Sequence, residues 1–146
     1  MQVKGLDKVN RWLSTDIDTS VGRVMNEAGQ EVLQSAKGKV HVDSGDLKDS
    51  LNMSVVKDGD KWVIKVGSSL DYSVFEEFGC GQGVFIVSNG EMYTFTSEDQ
   101  AYASQFKTEN NRVIRYAHPY LHPAVFEKRQ ELVKRLTEEI NKGFRV

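Results

Sequence analysis

The chain has one cysteine, two prolines and three histidines among its 146 residues. A single cysteine excludes an internal disulfide and fits a reducing compartment. Nineteen basic and 21 acidic side chains leave a net charge of −2 without any basic block, so free nucleic acid is not expected as the main partner. No run approaches the roughly 18 apolar residues of a membrane span, and the first residues lack a signal-peptide pattern. We therefore expect no membrane association and a protein that is made and kept in a cytoplasm.

The short motifs of common catalytic sites are also missing. The chain has no Gly-x-Ser-x-Gly elbow, no His-Glu-x-x-His helix and no dinucleotide-binding fingerprint. The glycine-rich residues 79–83 lack the Lys-Ser/Thr ending of a phosphate loop, and we expect them to form a flexible loop. No catalytic, cofactor-binding or metal-binding residue is assigned, and the sequence favours a protein that is not an enzyme.

Three alternatives remain open at this stage. His118 and His122 have the i,i+4 spacing of a helical zinc site, although Pro119 between them makes a helix there unexpected. Completion of a zinc shell would need His41, Asp43 or Cys80. A cysteine-dependent enzyme would use Cys80 with one of the two histidines and an acid such as Glu77. A monomeric cytoplasmic binding protein is the third alternative.

Apolar residues at helical spacing predict a long helix near each end of the chain. The N-terminal series forms one bent helix or two and ends near Gly38, a residue type that commonly follows a helix. Its members are Leu6, Val9, Trp12, Leu13, Ile17, Val21, Val24, Met25, Ala28, Val32 and Ala36. The C-terminal helix starts at Pro123, since proline favours the first helical turn. Its apolar series is Phe126, Val133, Leu136, Ile140 and Phe144.

A single helical turn and a hairpin are predicted between these helices. Asp43 or Ser44 can accept hydrogen bonds from the following backbone N–H groups, and Asp46 stands where a capping box places its second member. Leu47 should point into the core and Leu51 should open the first strand. Alternating residues on either side of Asp-Gly-Asp at 58–60 then predict an antiparallel hairpin. We expect Leu51, Met53 and Val55 to meet Trp62, Ile64 and Val66 across it.

Three aromatic residues after the hairpin recur at three-residue spacing. Tyr72, Phe75 and Phe78 share one face of a predicted short helix, with Glu76 and Glu77 near its other side. In the simpler interpretation the aromatic side chains are core and the acids are solvated. In the alternative one, either acid pairs with a basic residue of a neighbouring subunit.

Residues 84–116 are predicted to be an insertion. Residues 84–87 and 92–96 flank an Asn-Gly turn and predict a second hairpin. Residues 97–111 are polar and mobile in character, and residues 112–116 have a strand pattern. The insertion is either a passive flap or a means of reaching a neighbouring molecule, and we expect it to be the most mobile part of the free protein.

The order of these elements predicts the fold class and the number of domains. A helix, a hairpin, a short helix, an insertion and a final helix predict an α+β fold. In this fold an antiparallel sheet carries the two long helices, with a hairpin insertion. The length fits one domain, residues 1–146.

Three short motifs follow one another along the chain. They are Asp-Ser-Gly-Asp-Leu-Lys-Asp-Ser-Leu at 43–51, Tyr-Ser-Val-Phe-Glu-Glu-Phe-Gly at 72–79 and Pro-Tyr-Leu-His-Pro-Ala at 119–124. Together they resemble the tail-component family of long-tailed bacteriophages, the small head-tail joining, tail-completion or neck proteins. That family carries Asp-Thr-Gly-x-Leu-x-x-Ser-Ile, Tyr-Ala-x-x-x-Glu-Phe-Gly-Thr and Pro-Phe-Leu-x-Pro-Ala. The resemblance spans about residue 5 to the C-terminus.

The resemblance implies a structural virion protein at the head-tail junction, assembled in the host bacterial cytoplasm. Such a protein acts as a homo-oligomeric ring between portal-side and tail-side phage proteins and can be monomeric when free. DNA would at most pass through the ring's lumen, and no cofactor is implied. The candidate residues for the fold and the assembly surfaces are Asp43, Gly45, Leu47, Ser50, Tyr72, Glu76, Phe78, Gly79, Pro119, Leu121 and Pro123.

Overall fold

The computed structural model describes residues 7, 17–41, 43–109 and 112–144. In chain order its elements are α1 (Ile17–Lys39), α2 (Asp46–Ser50), β1 (Leu51–Asp58), β2 (Lys61–Ser68), α3 (Ser73–Phe78), β3 (Cys80–Gly81), α4 (Ser97–Ala103), the 3-10 turn Ser104–Phe106, β4 (Val113–Arg115) and α5 (Leu121–Phe144). This is the predicted α+β fold with long N-terminal and C-terminal helices. Apart from Asp7, the predicted helical stretch 5–13 lies outside the described residues.

Helix α1 ends one residue after the predicted stop at Gly38. Its buried face consists of Gly22, Val24, Met25, Ala28, Gly29, Val32, Leu33 and Ala36. The two glycines allow the hairpin to approach closely. A Cβ atom on Gly22 would lie 2.8 Å from the Trp62 ring, and one on Gly29 would lie 3.2 Å from Ile64.

The β1–β2 hairpin forms as predicted, with a two-residue turn at Gly59 and Asp60. Gly59 has φ +57°, which glycine adopts without strain. Met53 lies opposite Val66 and Val55 opposite Ile64, as predicted. The expected partners of Leu51 and Trp62 are wrong, because the two-residue turn sets the register so that Leu51 faces Ser68 and Trp62 faces Lys57.

The turn before the hairpin is also corrected in one detail. Leu47 and Leu51 are buried as predicted, with 5% and 2% of their surfaces exposed. However, α2 is preceded by Gly45 at φ +93° and has no side-chain cap. Asp46 is the first helical residue, so Asp43 is too far upstream to cap, and the predicted capping box is wrong. Of the two predicted acceptors Ser44 is confirmed, because its hydroxyl accepts a hydrogen bond from the Asp46 N–H at 3.3 Å.

Helix α5 packs mainly along α1. Ion pairs tie the two helices together, including Arg135 to Glu31 at 2.6 Å and Arg23 to Glu139 at 2.8 Å. Residues two positions apart on a helix point in nearly opposite directions. Phe126 stands between the buried Ala124 and the Lys128 that pairs with Glu31, and it turns to solvent, with 68% of its surface exposed.

The predicted apolar series of α5 is therefore only partly a packing face. Leu136 and Ile140 are half-buried, whereas Val133 is exposed like Phe126. Helix α5 begins at Leu121, so Pro123 is its third residue. The expected extended backbone at residues 120–121 stops at Tyr120. Within the described part of the chain, no helix is long and apolar enough to span a membrane.

Buried side chains form two separate clusters. The first joins α1, the first strand and the start of α5, and contains Val32, Leu33, Ala36, Val40, Leu47, Leu51, Tyr120 and Ala124. The second lies within the predicted insertion and contains Val84, Phe85, Phe95 and Ala103. Phe78 of α3 packs against the second cluster, so α3 stands where the two clusters meet.

Residues 79–116 differ from the prediction in three places. Residues 79–83, expected to be a flexible loop, contain β3, which pairs with β4. The second hairpin is reduced to one bridge between Ile86 and Met92. Residues 97–106 form α4 and a 3-10 turn, because the Thr96 hydroxyl accepts a hydrogen bond from Asp99 N–H and starts the helix. The predicted strand at 112–116 is confirmed as β4.

Candidate functional site

Helix α3 carries two adjacent buried glutamates. Glu76 and Glu77 expose 2% and 4% of their surfaces. The prediction that these acids are solvated is wrong, and the partners of both lie in the same chain. Tyr72, predicted to be core, is 40% exposed because the helix begins one residue after it. A buried carboxylate requires compensating hydrogen bonds or charges, so its partners define the site.

Glu77 caps the start of α5 from outside that helix. Its Oε2 atom accepts hydrogen bonds from the backbone N–H groups of Tyr120 and Leu121, each at 2.8 Å, and Oε1 accepts one from His122 at 2.8 Å. The first N–H groups of a helix have no partner within it. A carboxylate there satisfies these donors and lies favourably at the positive end of the helix dipole.

Pro123 completes this arrangement. With Leu121 as the first helical residue, proline occupies the third position, where an ordinary residue would present one more unpaired N–H group. Glu77 therefore has three backbone donors to satisfy and satisfies all three. This explains why a glutamate in α3 and a proline 46 positions later belong to one structural unit.

Burial raises the pKa of the Glu77 carboxyl, and its three backbone hydrogen bonds, led by that of Leu121, act in the opposite direction. The carboxylate is surrounded by backbone donors that it already engages, so its position is fixed by the helix start. Such a group is better suited to holding structure than to exchanging protons with a substrate.

Glu76 joins α3 to the other side of the insertion. Its Oε2 atom lies 2.5 Å from the Arg115 guanidinium, and Oε1 lies 3.3 Å from Nδ1 of His118. The Glu76 carbonyl accepts a hydrogen bond from the His118 N–H at 2.7 Å. The His118 ring in turn stacks on His41, with ring centroids 5.6 Å apart. Glu76 thus ties β4 and the segment before α5 to the loop after α1.

Tyr120 lies beside both acids and is 2% exposed. Burial, and then the charge of Glu77, raise the pKa of its phenol to about 12, while a hydrogen bond with Ser73 acts the other way. The aromatic ring belongs to the first core cluster. We call Glu77 and the three N–H groups that it binds the carboxylate clamp. The clamp packs directly against the first core cluster through Tyr120.

Gly79 ends α3 at a position that only glycine suits. Its φ is +81°, and a Cβ atom there would lie 2.3 Å from the Gly83 carbonyl oxygen and 2.9 Å from the Ala117 nitrogen. Both conditions exclude other side chains. The close approach lets β3 follow α3 at once and brings β4 beside Glu76.

The candidate motif residues fall into two neighbouring groups. A cleft of about 350 Å³ brings residues of the first two motifs together, with Asp43, Gly45, Leu47, Tyr72 and Glu76 in its lining. A second cavity of about 440 Å³ is lined by Phe78, Leu121 and the buried Glu77. Ser50 lies apart and shares a 2.6 Å hydrogen bond with Ser68.

Two prolines of the third motif complete the candidate set. Pro119 precedes Tyr120, and Pro123 occupies the third position of α5. The residue directly before Phe78 and Gly79 is Glu77, which was not among the candidates, although it accepts three hydrogen bonds from the third motif. Glu76 was among the candidates and forms the ion pair with Arg115 and the contact with His118.

The cysteine and histidine side chains do not form a catalytic or metal cluster. The Cys80 thiol lies 3.9 Å from the Phe106 carbonyl oxygen. His122 packs edge-on against Tyr93 and Phe95, away from the His118 stack. Among the described residues, no three His, Cys, Asp or Glu side chains are placed to hold a metal ion.

Sequence reasoning missed Glu77, Tyr120 and Arg115. One signal for the clamp was present in the sequence. Residue 120, just before α5, is a tyrosine, which is not one of the side chains that cap their own helix. A helix start without a local cap needs an acceptor from elsewhere in the fold, and a buried acid is the residue type that supplies one.

Comparison with known protein families identifies a match. The family model described as "Bacteriophage HK97-gp10, putative tail-component" matches residues 4–79, which is 76 of the 146 residues. The matched stretch includes α1, the hairpin and α3, and ends at Gly79. No curated protein and no solved structure matches the chain.

Proposed function

The chain belongs to the HK97-gp10-like family of phage tail components, and we propose that it is a virion protein of the junction between head and tail. Membership in the family makes it a structural phage protein. The proposed role at the head-tail junction is supported by the match over residues 4–79 and by the contacts that join the three sequence motifs. Tail components work through contacts with copies of themselves and with neighbouring proteins.

The clamp supports a structural role over a chemical one. Glu77 and Pro123 join the second and third motifs, and Glu76 joins α3 to β4 and to the residues before α5. The two buried carboxylates, Glu76 and Glu77, therefore hold α5 and the insertion in fixed positions relative to the core. This arrangement gives defined outer surfaces, which an assembly protein requires.

Exposed apolar side chains are available for contacts with copies of the chain and with other phage proteins. Helix α5 exposes Phe126 and Val133, at 68% and 58%, and the region of β4 exposes Ile114 at 64%. Contact between two unlike surfaces of successive copies generates a ring when the rotation closes. We propose a homo-oligomeric ring between portal-side and tail-side proteins. DNA at most passes through its lumen, in keeping with a net charge of −2.

Deletion of the gene from its phage tests this role. We expect electron microscopy of the lysate to show filled heads and separate tails, because the connection between them is missing. A plasmid copy of the wild-type gene should restore joined particles, which controls for effects on neighbouring genes.

Two results would overturn the proposal. Joined and infectious particles in the deletion lysate would show that the protein is dispensable at the junction. Mass spectrometry of purified wild-type virions gives the second result. If intact particles with joined heads and tails lack the protein, it is not a virion component.

A further inference from the structure

We propose that successive copies contact each other through opposite edges of the insertion, Glu91 and Met92 of one copy lying against Arg112 and Ile114 of the next. The inference rests on the proposed ring and identifies one of its interfaces. The occupant of each edge is a second copy of this chain.

The backbone of the insertion places these residues on opposite edges. The Val87 N–H donates to the Glu91 carbonyl at 2.9 Å, and the Ile86 carbonyl accepts from the Ala117 N–H at 2.8 Å. These two groups belong to one peptide unit, whose N–H and C=O point in opposite directions. The segment at 91–92 and the segment that includes β4 and Ala117 therefore flank residues 86–87 on either side.

Each edge exposes a large apolar side chain. Met92 is 75% exposed and Ile114 is 64% exposed, with Val113 at 43% and Tyr116 at 38% beside it. Val84, Phe85, Phe95 and Ala103 of the insertion are buried in a cluster of their own, whereas Tyr102 is 52% exposed. Exposed apolar groups at both outer edges of an otherwise packed unit are typical of an interaction surface.

The charges beside these groups are opposite in sign. Glu91 accepts a hydrogen bond from the Asn89 amide at 2.9 Å, and no cation pairs with it among the described residues. Arg112 is exposed, and within the described part of the chain no carboxylate pairs with it. A two-fold contact would bring like edges and like charges together, whereas a head-to-tail contact pairs Glu91 with Arg112. The charges thus favour the heterologous arrangement that a ring needs.

Cysteine cross-linking in virions tests the contact directly. In a Cys80→Ala background, phage carrying both Met92→Cys and Ile114→Cys are purified, oxidised and run on non-reducing gels. We expect a ladder of cross-linked multimers that collapses on reduction. Phage carrying either cysteine alone should give monomers, because each edge then faces a residue without a thiol.

The outcomes separate this inference from the proposed function. Absence of the protein from virions that are otherwise joined would overturn the junction role itself. Protein present in virions without a ladder would overturn the edge contact alone. A dimer from a single-cysteine variant would show that like edges meet and would also overturn it.

Charge reversal provides a second, independent readout. We expect Glu91→Arg and Arg112→Glu each to lower the yield of infectious phage by roughly tenfold or more, since like charges then face each other. The double reversal should restore most of the yield. Glu109→Arg, in the same insertion, is the matched control and should leave the yield unchanged, and circular dichroism confirms that each variant folds. Failure of the double variant to recover, with its fold intact, contradicts the pairing.

Discussion

The Oε2 atom of Glu77 lies 2.8 Å from the amide nitrogen of Tyr120, 43 residues further along the chain. The same carboxylate also holds the next two N–H groups of α5. A short helix that ends the family-matched region thereby fixes the direction in which the C-terminal helix leaves the core. The second and third sequence motifs act together because one supplies the acceptor and the other supplies the donors.

Replacement of Glu77 by alanine should destabilise the protein strongly. It leaves three N–H groups without an acceptor, one buried and two part-buried, and an unsatisfied buried donor costs about 1–3 kcal/mol. We expect a loss on the order of 3 kcal/mol or more in the free energy of unfolding, measured by urea denaturation followed by circular dichroism. Glu77→Gln should lose less, because one oxygen still accepts while its amide group adds an unwanted donor.

Glu138→Ala is the matched control for this prediction. Glu138 is exposed and makes one 4.0 Å pair with Lys134 along α5, and such surface pairs contribute about 0.5 kcal/mol or less. Equal losses for the variants at 77 and 138 would show that the clamp does not stabilise the fold.

The sequence predicted the parts of the fold that depend on local patterns. The hairpin follows from alternation and a glycine turn, and α1 follows from apolar residues at helical spacing, so both needed no information from distant residues. Glu77 could not be assigned in the same way. Its neighbours in sequence indicate a polar face, and only the packing of α5 against α3 turns that face inward.

The outward turn of Phe126 and Val133 has a similar cause. Both residues fit an apolar series. The face of α5 that packs on α1 is set instead by the small Ala124 and by charged residues such as Arg135, which pairs with Glu31. Ion pairs between two helices do not appear in the hydrophobic pattern of either helix alone. The exposure of Phe126 and Val133 therefore could not be predicted from the sequence of α5 alone.

Gly79→Ala should be among the most damaging single substitutions. The added Cβ would meet the Gly83 carbonyl at 2.3 Å, in a backbone conformation with φ +81°. We expect a loss on the order of 3 kcal/mol in the free energy of unfolding. Gly38→Ala makes the same chemical change in α1, where a Cβ meets nothing within 4 Å, and should stabilise by about 0.5–1 kcal/mol. Similar effects at the two positions would contradict the close packing at α3.

Tyr120 should make the protein sensitive to alkaline pH. Its pKa of about 12 in the folded state exceeds the ordinary value of 10.0, because burial and Glu77 disfavour the phenolate. A raised folded pKa means that this stabilisation is complete below pH 10 and is lost as the pH rises towards 12. Ultraviolet titration of phenolate absorbance should show a late step near pH 12.

The late step should disappear in Tyr120→Phe. It should persist in Tyr102→Phe, a change at an exposed tyrosine of α4. A titration of the wild-type protein without any late step would show that the phenol of Tyr120 is not protected by the core and by Glu77.

Hydrogen exchange should find the insertion at 84–116 less protected than the hairpin in the free protein. The hairpin has eight consecutive residue pairs, whereas Ile86 and Val87 of the insertion pair through isolated bridges. Within the insertion, the amides of Phe85 and Tyr93 should exchange slowest, since they donate to the carbonyls of Phe78 and Phe85 at 2.8 and 2.7 Å. Exchange at residues 91–92 and 112–116 as slow as in the hairpin would contradict this. Slow exchange there in virions alone is what a contact between copies at these two edges requires.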